Sequence, residues 1–143
     1  MSKIMALDLG DQWVGIALSD ASCLIVRPLT TVPTSELTST LKKLIVEERI
    51  KSIVVGYPRT MSGRESEQTK KVIAQKEILE KEFASIPFIL WDERLSSQRA
   101  QTLGPQRLKE EKLRSHARAA AFILDSYITY LQTQKGEGEE TTY

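Results

Sequence analysis

The spacing of apolar and polar positions predicts five strands and four helices. Short apolar runs bounded by turn-forming residues predict strands over residues 4–9, 14–18, 24–32, 50–57 and 87–91. Apolar positions three and four apart predict helices over residues 37–45, 64–83 and 115–133. Thr34 or Ser35 is expected to cap the first of these helices, and a short further helix is predicted from Ser96 or Ser97 to Leu103.

The order of these elements predicts the fold class. The first two strands are close enough in sequence to form a hairpin with Gly10 at its bend. The third strand, first helix and fourth strand form a crossover unit, which requires parallel pairing. The sequence therefore predicts an α/β fold with a five-stranded mixed sheet flanked by helices.

Length and composition exclude several classes of protein. The 143 residues suit one domain, predicted over residues 1–134, and the polar, acidic residues 135–143 predict a disordered tail. No apolar run reaches the roughly 18 residues that a membrane helix needs, so no membrane partner is expected. A single cysteine excludes an internal disulfide. We expect a cytoplasmic protein.

Two acidic residues stand at the ends of predicted strands. Asp8 lies within the first strand and Glu93 follows the fifth. A carboxylate in an apolar strand needs a cation, a metal or hydrogen-bond donors, although Asp8 could equally cap its own turn. Asp92 and Glu93 are adjacent, so their side chains point to opposite faces and at most one can join Asp8. Paired carboxylates at strand ends would suit Mg²⁺ or Mn²⁺.

Several segments together resemble the YqgF family of bacterial nucleases, which are also described as Holliday junction resolvase-like. The segments span most of the chain and follow the family's order: LDLG at 7–10, GIALSD at 15–20, IVVGYP at 53–58, MSG at 61–63, WDERLSS at 91–97 and AAAFIL at 119–124. Each segment alone is weak, but the set is specific. The resemblance implies an RNase H-like fold.

The resemblance also implies a divalent-metal nuclease that processes the 5′ end of the 16S ribosomal RNA precursor. Asp8 and Glu93 match two acidic positions of the family, whereas His116 stands where the third acid is usual. We expect these three residues to be the catalytic, metal-binding set, although His116 could instead be an exposed residue at the helix start. Imidazole is a softer donor than carboxylate, which predicts a shift from Mg²⁺ towards Mn²⁺.

Positive charge is concentrated in one segment. The net charge is only +1, yet residues 94–118 carry seven basic and two acidic residues, a net charge of +5. Such a cluster binds phosphate backbones, although a charge run is also common on a solvated surface. The predicted nucleic-acid-binding residues are Arg94, Arg99, Arg107, Lys109, Lys112, Arg114 and Arg118.

The sequence leaves three functions open. The first is a nuclease acting on structured or single-stranded RNA. The second is a Holliday junction resolvase-type nuclease acting on branched DNA, which would require a homodimer rather than a monomer to cut two strands. The third is a non-catalytic RNA-binding factor of ribosome assembly, because His116 replaces an acid.

Overall fold

The computed structural model describes residues 2–57, 67–92 and 109–141, with residues 68, 109–115 and 135–141 described by their backbone alone. The predicted short helix between Ser96 and Leu103 lies outside the described residues. The strands are β1 (Lys3–Leu9), β2 (Trp13–Ser19), β3 (Val26–Pro33), β4 (Ile50–Tyr57) and β5 (Phe88–Asp92). The helices are a short 3₁₀ helix (Thr34–Glu36), α1 (Leu37–Glu47), α2 (Glu67–Glu82) and α3 (Lys109–Thr141).

The five strands form one mixed sheet in the order β3-β2-β1-β4-β5. The first three strands pair antiparallel, and β4 and β5 add to β1 in parallel. Gly10 lies in the tight connection between β1 and β2, where a Cβ would come within 2.6 Å of the carbonyl oxygen of Trp13. The mixed five-stranded sheet and its first hairpin confirm the prediction.

Strand alternation divides the core between the two faces of the sheet. On one face, Leu7, Ile16 and Val55 pack against α1 and α2. On the other face, Ala6, Ala17 and Val54 pack against α3. Ala6 and Ala17, at the centre of this face, are small, which lets the helix approach the sheet closely there.

The first helix lacks the cap that the sequence predicts. Thr34 and Ser35 lie in the 3₁₀ helix, and α1 starts at Leu37 without a side-chain cap. The hydroxyl of Thr34 donates a hydrogen bond to the carbonyl oxygen of Gly10, 3.0 Å away. The predicted cap is therefore wrong, because this side chain holds the β1–β2 turn instead.

The last helix is longer than predicted. Its backbone is helical from Lys109 to Thr141, including residues 135–141, for which the sequence predicts disorder. Lys and Glu in this stretch favour helix, whereas Gly136 and Gly138 disfavour it and account for the prediction. The domain boundary at residue 134 stays a prediction. Of the helices within the described ranges, none is long and apolar enough to cross a membrane.

Candidate functional site

Asp8 lies near the carboxyl end of β1, between two glycines. In the sheet register it pairs with Gly15 of β2 on one side and with Gly56 of β4 on the other. Residues that pair directly across strands project to the same face, which here is the face covered by α3. The carboxylate therefore stands on this face with no side chain on either neighbouring strand at its level.

Gly15 allows α3 to contact the sheet backbone beside Asp8. A Cβ on Gly15 would lie 1.9 Å from the carbonyl oxygen of His116, so any larger residue would occupy the same space as the helix. This contact holds the imidazole over β1, where its Nδ1 lies 3.5 Å from Oδ2 of Asp8. The two side chains are 35% and 19% exposed, so solvent and ligands can reach the pair.

The Asp8–His116 pair fits a divalent cation in its donor chemistry. A carboxylate offers hard oxygen ligands, and neutral imidazole offers a nitrogen lone pair. Both project into one partly exposed space, and a cation would offset the cost of holding a carboxylate there. In the part of the chain that the structure describes, no group of three or more His, Cys, Asp or Glu residues surrounds a common point.

The third predicted ligand, Glu93, lies outside the described residues. The preceding residues are described, and Trp91 pairs with Gly56 on the face of Asp8. Asp92 pairs with Tyr57 and therefore projects to the opposite face, towards α1 and α2. Of the two adjacent acids, Asp92 is thus separated from Asp8 by the sheet itself.

The predicted nucleic-acid-binding residues are only partly described. Arg94, Arg99 and Arg107 lie outside the described residues. Lys109, Lys112 and Arg114 lie in the first turns of α3, where the backbone alone is described. Arg118 follows His116 by two residues and is exposed. Their contact with nucleic acid stays a prediction.

The turn between β1 and β2 forms the rim of this site and is held by contacts that the sequence analysis did not predict. The backbone N–H of Thr34 donates to the carbonyl oxygen of Gln12, 2.9 Å away, in addition to the hydroxyl bond to Gly10. Lys71 of α2 places its Nζ 3.6 Å from Oδ2 of Asp11. Neither Thr34 nor Lys71 lies in one of the family segments, and only the packing of elements that are distant in sequence brings them to this turn.

A family model described as "RuvX: Holliday junction resolvase" matches residues 2–130. The chain belongs to the RuvX family. This membership confirms the resemblance that the sequence segments carry. It also places Asp8, Gly15 and His116 within the matched region.

Curated relatives of this RuvX-family chain have nuclease names. A protein of Rubrobacter xylanophilus is 36% identical over 127 residues, covering 88% of this chain and 91% of the relative. A protein of Thermoanaerobacter pseudethanolicus is 37% identical over 134 residues, covering 88% of this chain and 95% of the relative. Both carry the name "Putative pre-16S rRNA nuclease".

Among solved structures, the fold matches RuvC of Thermus thermophilus in complex with a Holliday junction substrate. The TM-score is 0.61 at 16% identity, and the match covers 94% of this chain and 97% of RuvC. At this identity the likeness shows the fold. It confirms the RNase H-like architecture predicted for the RuvX-family chain.

Proposed function

We propose that this protein is a divalent-metal-dependent endonuclease that hydrolyses phosphodiester bonds near the 5′ end of the 16S ribosomal RNA precursor. The observation that carries the proposal is the 3.5 Å approach of His116 to Asp8 at the carboxyl end of β1. The nuclease names of relatives that span nearly the whole chain support the RNA substrate. Because ribosomal precursors are processed in the cytoplasm, we propose that the protein acts there.

Asp8, His116 and Glu93 would hold Mg²⁺ or Mn²⁺. Glu93 is included because the family resemblance matches it to an acidic position. When bound, a divalent ion polarises the phosphate and lowers the pKa of a bound water. The chain's own part is to hold Asp8 between two glycines, with the imidazole fixed beside it by α3.

The substrate backbone would cross the basic segment, residues 94–118. This segment has a net charge of +5, begins directly after Glu93 in the sequence and continues into α3, the helix that carries His116. Contacts of this kind position a phosphate backbone without reading its sequence. We therefore expect cleavage specificity to come from the fold of the RNA rather than from base contacts made by these residues.

A second candidate is cleavage of branched DNA, which the family description favours. A junction resolvase must cut two strands and therefore needs a symmetric dimer. Light scattering at assay concentration decides whether the protein is a monomer or a homodimer. Cleavage of a four-way junction by a dimer, without cleavage of the RNA precursor, would replace the proposed substrate.

The decisive experiment compares cleavage of a 5′-extended 16S precursor fragment and a four-way DNA junction in Mg²⁺ and in Mn²⁺. We expect RNA cleavage, with higher activity in Mn²⁺ than in Mg²⁺. Asp8→Asn should lower the rate by more than about 100-fold, because even partners behind a metal ligand are worth about 10–100-fold. RNA binding without cleavage in either metal would favour the non-catalytic assembly factor.

Asp20→Asn is the matched control for Asp8→Asn. Asp20 follows β2 and therefore lies at the opposite end of the sheet. Hydrogen bonds from the hydroxyl of Ser22 and the backbone N–H groups of Ile25 and Leu24 lower the pKa of Asp20 from 3.8 to about 2, so this carboxylate is ionised in the assay. The control removes the same charge and should leave the cleavage rate unchanged.

Variants of His116 test its role separately. His116→Ala should abolish cleavage in Mn²⁺, and His116→Asp should raise cleavage in Mg²⁺, because a hard carboxylate replaces imidazole. Mn²⁺-dependent cleavage that survives His116→Ala would show that His116 is not a ligand.

A further inference from the structure

The ammonium of Lys71 lies at the rim of the Asp8 site. Its Nζ is 3.6 Å from Oδ2 of Asp11, in the turn that connects β1 to β2. Asp11 follows Asp8 by three residues, so the two Cα atoms are at most about 11 Å apart. The ammonium therefore lies at the same end of the sheet as Asp8, although α2 itself packs on the opposite face. A nucleic-acid strand that reaches Asp8 across this end of the sheet from the side of α2 would come close to it.

The packing of α2, rather than the ion pair, fixes this position. Gln75 and Leu79 of α2 line the same cavity as Thr34 and Leu37. Thr34 is hydrogen-bonded to the turn at Gly10, which ties the cavity wall to the rim of the site. Lys71 lies one helical turn before Gln75, so α2 carries it on the side of the helix that faces Thr34, whether or not it pairs with Asp11.

The ion pair itself has little structural use. The side chains of Lys71 and Asp11 are 57% and 60% exposed, and pairs at such exposure contribute little to stability. Without Lys71, however, the carboxylate of Asp11 would stand uncompensated at the rim and repel a phosphate. Lys71 therefore offsets a charge that would repel a phosphate, and this effect on binding is larger than its effect on folding.

We propose that Lys71 binds a backbone phosphate of the nucleic-acid substrate, and that Asp11 holds the ammonium until the phosphate replaces the carboxylate. Lys71 would thus be a phosphate-binding residue on the side of α2, in addition to the basic segment. This inference rests on the proposed nucleic-acid-cleaving function.

Equilibrium binding in EDTA tests the proposal with the RNA fragment or junction that the wild type cleaves. One phosphate contact contributes about 0.7–0.9 to the slope of log K against log salt, which predicts roughly five- to eight-fold weaker binding at 0.1 M salt for Lys71→Gln. The salt slope should fall by the same amount. Lys71→Arg should retain wild-type binding, because it keeps the charge. Asp11→Asn should tighten binding by about two- to five-fold, since the competing carboxylate is removed.

The ion pair between Lys42 and Glu82 provides matched controls. This pair also links two elements, at 3.4 Å between Nζ and Oε1, and is 63% and 46% exposed. Glu82 follows Lys71 by 11 residues, about 16 Å along α2. Lys42→Gln and Glu82→Gln should leave affinity and salt slope unchanged.

The possible failures are distinguishable. Wild-type affinity and salt slope in Lys71→Gln, with cleavage intact in the wild type, would overturn the role of Lys71 alone. An equal loss of affinity in Lys42→Gln would also overturn it, because the effect would then be one of general charge. A wild-type protein that neither binds nor cleaves RNA or junction DNA would overturn the proposed function and this inference with it.

Discussion

At the scale of single residues, the site depends on two glycines, which have no side chain. Asp8 has Gly15 and Gly56 as its cross-strand neighbours, and both leave space around its carboxylate. Gly15 has a second effect, because the backbone of α3 at His116 lies where its Cβ would be. Gly15 therefore determines the position of His116, although it has no functional group itself.

Gly15→Ala should damage the site more than the fold. A Cβ 1.9 Å from a backbone oxygen requires the helix to move, and such overpacking costs about 1–3 kcal/mol. The same movement should withdraw His116 from Asp8. We expect a lower unfolding midpoint in urea and a loss of cleavage under conditions where the variant is still fully folded.

Ile53→Val is the control for Gly15→Ala. Ile53 is fully buried on the opposite face, against α1 and α2. This substitution should cost about 0.5–1.5 kcal/mol without moving α3. If the cleavage rate of both variants simply follows stability, Gly15 has no role in positioning His116.

The two halves of the candidate site differ in how far the sequence predicts them. Asp8 was recognisable because a charged residue interrupts an apolar strand within a family segment. The contact of His116 with Asp8 joins residues more than one hundred positions apart and depends on a helix crossing a glycine. Residue spacing alone predicts neither this crossing nor the Lys71–Asp11 pair, and only the family resemblance grouped His116 with Asp8.

At the scale of elements, periodicity predicted the strands more closely than the helix ends. The prediction for β4 matches residues 50–57, because a fully apolar core between polar residues has clear limits. The predicted cap of α1 was wrong, since Thr34 bonds to a turn that is distant in sequence rather than to its own helix. Local propensity cannot distinguish these two uses of one hydroxyl.

The part of α3 that follows Ile128 buries little surface against the rest of the protein. Ile128 is buried against the sheet, whereas residues 129–134 are exposed. We therefore propose that the domain ends near residue 134, and deletion of residues 135–143 should change the free energy of unfolding by less than about 0.5 kcal/mol. Urea denaturation measures this directly.

A longer deletion, from residue 127 onwards, is the control for that truncation. It removes Ile128 together with Tyr127, whose ring packs edge-on against Trp91 at 5.3 Å between centroids. The loss should reach about 3–5 kcal/mol, as for other large buried side chains. A comparable loss on removal of residues 135–143 alone would contradict the boundary at 134.

At the scale of the whole molecule, the net charge is near zero but the charges are unevenly distributed along the chain. Residues 94–118 carry a net charge of +5 and are balanced by acidic residues elsewhere in the chain. A molecule of this kind should bind nucleic acid at one face rather than along its whole surface. The Asp8–His116 pair lies on the same face of the sheet as α3, which carries part of the basic segment.

Salt dependence tests this division of charge. Replacing Arg107, Lys109 and Lys112 together with Gln should lower the slope of log K against log salt by about 2–3, because each phosphate contact contributes about 0.7–0.9. The matched variant replaces Lys42, Lys43 and Lys51, which are exposed on α1 and at the start of β4. It also removes three positive charges and should leave the slope near that of the wild type. Equal losses of slope in both variants would mean that the total charge of the molecule governs binding. Wild-type binding that does not change between roughly 50 and 300 mM salt would exclude a phosphate-binding face altogether.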